Sequence, residues 1–179
     1  MLKGGYWGKI LWVDLSLGKI TEGAFDDSFA RKYLGGVGMA TRIISETVTG
    51  NTNPLGSGNV LVFATGPYQA ANIASAGRCS VAAKSPLTGF WGEGNAGGHI
   101  GPELKRAGFD AVVITGRASS PVYLWINDGE AEIRGAGEFW GMDAVETTAA
   151  LKEAVGNTKA AVTSIGPAGE NLVRFACIA

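Results

Sequence analysis

Apolar and polar positions along the chain mark out short strands separated by helices. Tyr6 to Leu15, rich in aromatic and β-branched residues, predicts a strand; Ser16-Leu17-Gly18 predicts a turn, and Lys19 to Glu22 the returning partner. Asp26 and Asp27 offer an N-cap to a helix that places Phe29, Ala30, Tyr33 and Leu34 on one face. The run Leu34-Gly35-Gly36-Val37-Gly38 interrupts it, and Met39, Ile43 and Ile44 resume the helical stripe to about Val48. Gly50 to Gly58 is a loop by composition. Val60 to Ala64 is continuously apolar, as expected of a strand buried on both faces, and it ends in Thr65-Gly66-Pro67.

The stretch Gly77 to Gly98 predicts a short strand over Cys79–Ala83, a proline turn, and a glycine-rich loop opening a helix from His99 to Ala107. Gly108 then serves as the helix stop. Asp110 to Thr115 predicts another buried strand. Pro121 to Asn127 and Ala131 to Arg134 form a hairpin around Asp128-Gly129, a type I′ signal. Asp143 caps a helix with Val145, Ala149, Leu151, Ala154 and Val155 turned inward, and strands are predicted over Ala160–Ile165 and Leu172–Ala179.

The order of these parts repeats. Ile10-Leu11-Trp12-Val13-Asp14 through Ile20 matches Tyr123-Leu124-Trp125-Ile126-Asn127 through Ile133, and Val62 to Pro67 answers Val162 to Pro167. Each half reads hairpin, helix, buried strand ending in Gly-Pro, then a return strand. The expected architecture is therefore α+β, with mixed or antiparallel sheets and short helices, internally duplicated over about 5–95 and 108–179.

Composition narrows the function classes. At 179 residues with 46 % hydrophobic and 17 % charged positions, the chain describes a globular protein. Its 15 basic and 16 acidic residues leave a formal charge of −1, and no Lys/Arg run exists, which argues against a nucleic-acid or anionic-membrane surface. No apolar run approaches the roughly 18 residues of a membrane span and no signal h-region is present, so the expected compartment is the cytoplasm. The 28 glycines are about twice the usual share of roughly 7 %, which implies tight turns or close backbone–ligand approaches. Cys79 and Cys177 are not in C-x-x-C spacing, so this chain by itself assembles neither a zinc site nor an iron–sulfur cluster; both are expected to be buried packing residues.

Glycines ahead of a helix let backbone N–H groups approach an anion, so a phosphate-bearing cofactor on the Gly92–Gly98 stretch is the first functional expectation. Gly92-Glu93-Gly94-Asn95-Ala96-Gly97 is a literal G-x-G-x-x-G, but Lys84 to Gly89 separates it from its strand and no carboxylate ends the next strand, which argues against a Rossmann site. Glu93 opposes a bare phosphate unless a divalent metal bridges them. Arg78 reads either as a strand-end arginine in a surface salt bridge or as a planar cation against a heterocycle or phosphate. Asn95 reads either as a turn residue tolerating positive φ or as part of a site. His99 reads as a surface residue, Lys105 and Arg106 as solvated, and the tryptophans as core or hairpin packing, with Trp91 beside the loop the exception.

On these residues the chain resembles the N-terminal domain of the tungsten-containing aldehyde:ferredoxin oxidoreductase family. The likeness rests on Tyr6-Trp7-Gly8-Lys9, Tyr33-Leu34-Gly35-Gly36, Gly77-Arg78, Lys84-Ser85-Pro86-Leu87-Thr88-Gly89-Phe90, Asn95-Ala96-Gly97-Gly98, Glu103-Leu104-Lys105, Gly108-Phe109-Asp110-Ala111 and Ser164 to Leu172. It implies a domain of two related β-rich halves forming a base for a tungsten (or molybdenum) bis-pyranopterin, the metal held by pterin dithiolenes. It also implies oxidation of aldehydes to carboxylic acids, ferredoxin as electron acceptor, and a homodimer of the full-length enzyme. Arg78 would contact the pterin system. The backbone carbonyl of Asn95 would help hold a magnesium ion bridging the pterin phosphates, with Ala96, Gly97 and Gly98 offering backbone contacts to the same phosphates.

Two departures follow. Many members carry a basic residue where this chain has Val37. The family also continues past the position of Ala179 with a further pterin-contacting loop, the four cysteines of a [4Fe–4S] cluster and the acid/base residues, so this stretch by itself is expected not to turn over. The alternative expectation is a non-catalytic, stand-alone domain that binds a pterin, a phosphate or a dinucleotide.

Overall fold

The computed structural model describes residues 4–71 and 73–179. Strands β1 (Lys9–Asp14) and β2 (Lys19–Ala24) form the expected first hairpin. Helix α1 (Asp27–Tyr33) starts where Asp26 accepts the Phe29 N–H at 2.8 Å and stops at Leu34, whose φ is 61°. Helix α2 (Gly36–Thr47) follows, then β3 (Val60–Ala64), β4 (Cys79–Lys84) and β5 (Trp91–Ala96). After α3 (Ile100–Arg106) come β6 (Ala111–Thr115), β7 (Val122–Asn127), β8 (Glu130–Gly135), α4 (Ala144–Ala154) and α5 (Gly166–Glu170).

Six strands form one mixed sheet in the order β2-β1-β6-β3-β4-β5, in which β1 and β6 run parallel and the other neighbours antiparallel. The α+β class expected from the sequence is the class observed. One face carries Ile10, Val60, Val62, Ala64, Ala82 and Val113 against Met39, Ala40, Ile43 and Ile44 of α2. The other packs Leu11, Val13 and Val112 against Leu104 and Phe109, beneath the β7–β8 hairpin. That hairpin turns as its sequence dictates, with Asp128 and Gly129 at φ 46° and 88°. Asp143 and Glu146 complete a reciprocal capping box on α4.

Several expectations are corrected. Residues 91–96 are a strand, not a loop, because β4 supplies a full ladder for them despite four polar or glycine positions in a row. Ala160–Ile165 and Leu172–Ala179 are not strands; their ladder has one rung, Ser164 and Ala179 exchanging two backbone bonds at 2.9 Å, and α5 occupies part of the connection. Both hairpins matched in the sequence form, but no second buried strand answers β3. Helix α4 buries Thr147 and Leu151 and leaves Val145, Ala149 and Ala154 exposed. Cys79 is buried but Cys177 is exposed. In β3 the burial alternates, with Leu61 and Phe63 only half covered by the second face. Trp7 and Trp140 are exposed rather than packed.

Candidate functional site

The β4–β5 hairpin brings the sequence-predicted residues together. Its register pairs Cys79 with Ala96 and Ser80 with Asn95, so Arg78, entering β4, lies across from Gly97 and Gly98, leaving β5. A Cβ placed on Gly77 would stand 3.4 Å from the Gly98 carbonyl oxygen. Arg78, Asn95, Ala96, Gly97 and Gly98 thus share one end of the sheet. His99 follows as the exposed residue ahead of α3.

Backbone alternation decides where the Asn95 carbonyl points. The Ser85 N–H donates to the Phe90 carbonyl at 2.8 Å, which makes that pair a hydrogen-bonded rung. Antiparallel rungs alternate, so Lys84–Trp91, Ala82–Glu93 and Ser80–Asn95 are rungs whose amides and carbonyls turn away from each other. The other side of β4 agrees, since the Lys84 N–H and carbonyl bond the Asn59 side chain at 3.2 and 3.0 Å. β5 is the edge strand, so the main-chain oxygens of Glu93 and Asn95 face outward. The Asn95 side chain does not reach for a ligand; its Nδ2 donates to Glu93 Oε1 at 2.8 Å. Asn95 is not in the left-handed region, which removes its reading as a positive-φ turn residue.

Around this edge the chain leaves room. A Cβ at Gly94, Gly97 or Gly98 would meet nothing within 4 Å, and Gly98 sits at φ +75°. Arg78 is exposed and, among the described residues, its guanidinium makes no ion pair or hydrogen bond, so the salt-bridge reading does not hold. An uncommitted cation, two outward carbonyl oxygens, one carboxylate and open glycine backbone suit a ligand with anionic oxygens and a bridging divalent cation. Buried Cys79, at the start of β4, has its thiol pushed up by burial, which keeps it protonated and unsuited to ligate metal. Among the described residues no three His, Cys, Asp or Glu side chains come together as a metal site.

At the same end of the sheet lies an assembly that the sequence did not reveal. Lys105 is buried, not solvated, and pairs with Asp110 at the start of β6. Asp110 Oδ2 also accepts the backbone N–H groups of Trp7, Gly8 and Lys9 at 2.9, 2.7 and 3.3 Å, and the Asp110 carbonyl accepts both N–H and Oγ1–H of Thr65. The Thr65 carbonyl in turn accepts the Gly36 N–H at the start of α2. Lys105 Nζ stands 5.3 Å from the centroid of the Tyr6 ring. The Tyr6 hydroxyl, whose pKa is raised first by burial and then by Asp110, donates to the Leu34 carbonyl. Lysine on a short helix carries no local mark of such burial; only the fold assembles its partners.

Compared with known proteins, residues 10–179 match the family described as aldehyde ferredoxin oxidoreductase, N-terminal domain. Tungsten-containing aldehyde ferredoxin oxidoreductases of Pyrococcus abyssi and Pyrococcus horikoshii are each 47 % identical over 174 residues, covering 97 % of this chain and 29 % of theirs. The chain thus spans under a third of the length of these relatives. Among solved structures, the active-site complex BamBC of benzoyl coenzyme A reductase superposes with a TM-score of 0.97 at 35 % identity, over 99 % of this chain and 27 % of that one.

Proposed function

The chain belongs to the aldehyde ferredoxin oxidoreductase family, of which it forms the N-terminal domain, and from this we propose that it cradles a tungsten–pterin cofactor in a longer, ferredoxin-dependent enzyme that oxidises aldehydes to carboxylic acids. One observation carries the reading: Arg78 and Asn95–Gly98 converge at one end of the β4–β5 hairpin, with the Asn95 carbonyl free at the sheet edge. The relatives' names supply tungsten, aldehyde and ferredoxin.

In this reading Arg78 offers its planar fork of donors to the pterin system. The Asn95 carbonyl, facing outward at the sheet edge, would help hold a magnesium ion beside the cofactor's phosphates. Gly97 and Gly98 let the backbone close on the phosphate oxygens because no Cβ intervenes, whereas the Ala96 amide and carbonyl turn toward Cys79 of β4, which removes Ala96 as a backbone contact. The Glu93 carboxylate, held by Asn95, would face that cation, whose charge offsets the carboxylate's repulsion of the phosphates. When bound, the cofactor would supply two-electron redox chemistry. The [4Fe–4S] cluster and the acid/base residues are assigned to the rest of the enzyme. The proposed compartment is the cytoplasm, which suits free thiols such as Cys79 and Cys177.

The test is to purify the full-length protein without oxygen and measure tungsten, pterin and aldehyde-dependent reduction of ferredoxin. All three are expected. Tungsten and pterin without aldehyde turnover would overturn the substrate, and a protein free of both would overturn the cradle.

A further inference from the structure

Gln69 lies in the turns after β3 and is 5 % exposed. Its side-chain Nε2 donates to the backbone carbonyl of Arg78, while Oε1 is buried and, among the described residues, has no partner. The amide cannot be turned over, because that would set Oε1 against the Arg78 oxygen, acceptor to acceptor. It is also confined sideways: a Cβ on Gly101 would stand 2.9 Å from Gln69 Oε1 and 3.0 Å from Cys79 Cβ. The amide is therefore wedged between the first turn of α3 and the entry to β4, and it leaves one acceptor unpaired to keep this bond.

Arg78 itself is exposed, and among the described residues no side chain holds its guanidinium. Its placement is set by its backbone, and among the described residues the side chain that bonds that backbone is Gln69. We propose that Gln69 is the positioning residue of Arg78, fixing the chain at the entry to β4 so that the guanidinium is delivered to the pterin. The proposal rests on the cradle reading given above. A long side chain loses rotamer freedom when it engages a ligand, and a backbone already fixed leaves less to order at that moment.

The experiment compares tungsten and pterin content of the full-length protein in wild type, Gln69→Met, Arg78→Ala and the double variant. Gln69→Met keeps the volume and removes the donor. It should lower cofactor content severalfold while the circular dichroism and the melting of the cofactor-free protein stay as in wild type. The double variant should be no lower than Arg78→Ala, since both changes remove one contact. Gly101→Ala, which crowds Oε1, should reproduce the loss by an independent route. Full occupancy in Gln69→Met, or a loss that multiplies in full onto that of Arg78→Ala, would overturn the proposal. So would failure of both Gln69→Met and Gly101→Ala to fold, which would make Gln69 a framework residue. Full occupancy in Arg78→Ala is a separate result that sinks the cradle reading itself.

Discussion

Lys105 and Asp110 form an ion pair in which both side chains are withdrawn from solvent, at 6 % and 0 % exposure. The pair joins the end of α3 to the start of β6, and through the second Asp110 oxygen it clamps the backbone of Trp7, Gly8 and Lys9 against the sheet. Trp7 closes the loop from the other side, its indole N–H donating to the Lys105 carbonyl at 2.6 Å.

The two partners should not be equal under mutation. Asp110→Ala strands a buried ammonium and three backbone donors, and removing one partner of a buried pair costs about 3–5 kcal/mol. Lys105→Met leaves the carboxylate with its three N–H bonds, so its cost should fall below that of Asp110→Ala. Denaturant midpoints of the two variants decide it; equal losses would show that the backbone clamp contributes nothing.

That assembly also marks the limit of what the sequence makes legible. Features set by neighbours in sequence are readable: the Asp128-Gly129 turn, the Asp26 and Asp143 caps, and the α2 stripe of Met39, Ile43 and Ile44. The candidate residues Arg78 and Asn95–Gly98 are proposed from motif likeness, and the hairpin register brings them to one end of the sheet. Features that depend on a distant partner are not. Trp91–Ala96 becomes a strand only because β4 pairs with it, while the more apolar Ala160–Ile165 has a single rung and stays irregular. Lys105 looks solvated until the fold sets Asp110 against it.

The Asp26 cap gives a pH dependence. The Phe29 N–H, then the Ser28 hydroxyl, hold its carboxyl below the usual range in the folded chain. A depressed folded pKa stabilises above the unfolded value of about 3.9 and loses that contribution as pH falls through the folded value. The stability gap between wild type and Asp26→Asn should therefore be constant near neutrality and narrow in acid. Midpoints measured across that range check it, and a gap that widens in acid would refute the sign.

Arg78 makes no ion pair among the described residues and is exposed, so Arg78→Ala should change stability by no more than about 0.5 kcal/mol. In the full-length protein it should nonetheless reduce pterin and tungsten content. Arg78→Lys should recover little of the loss, because an ammonium lacks the planar fork. Complete recovery by lysine would mean that charge alone is read.

Two glycine substitutions separate fold from site. Gly35 lies at φ +131° with its would-be Cβ 2.6 Å from the Thr65 carbonyl oxygen, the same oxygen that accepts the Gly36 N–H. Gly35→Ala should cost about 1–3 kcal/mol from backbone strain before the clash is counted. It should also disturb the link from Asp110 through Thr65 to α2. Gly97 has nothing within 4 Å of its would-be Cβ, so Gly97→Ala should leave the chain's stability within about 0.5 kcal/mol of wild type. Any deficit it shows must then come from what approaches the loop from outside. In the full-length protein, loss of pterin from Gly97→Ala with an unchanged melting temperature would place the phosphates against that backbone. Unchanged pterin would leave Gly97 a connector between β5 and α3, and the phosphate contacts would have to be sought on Gly98 and the Asn95 edge.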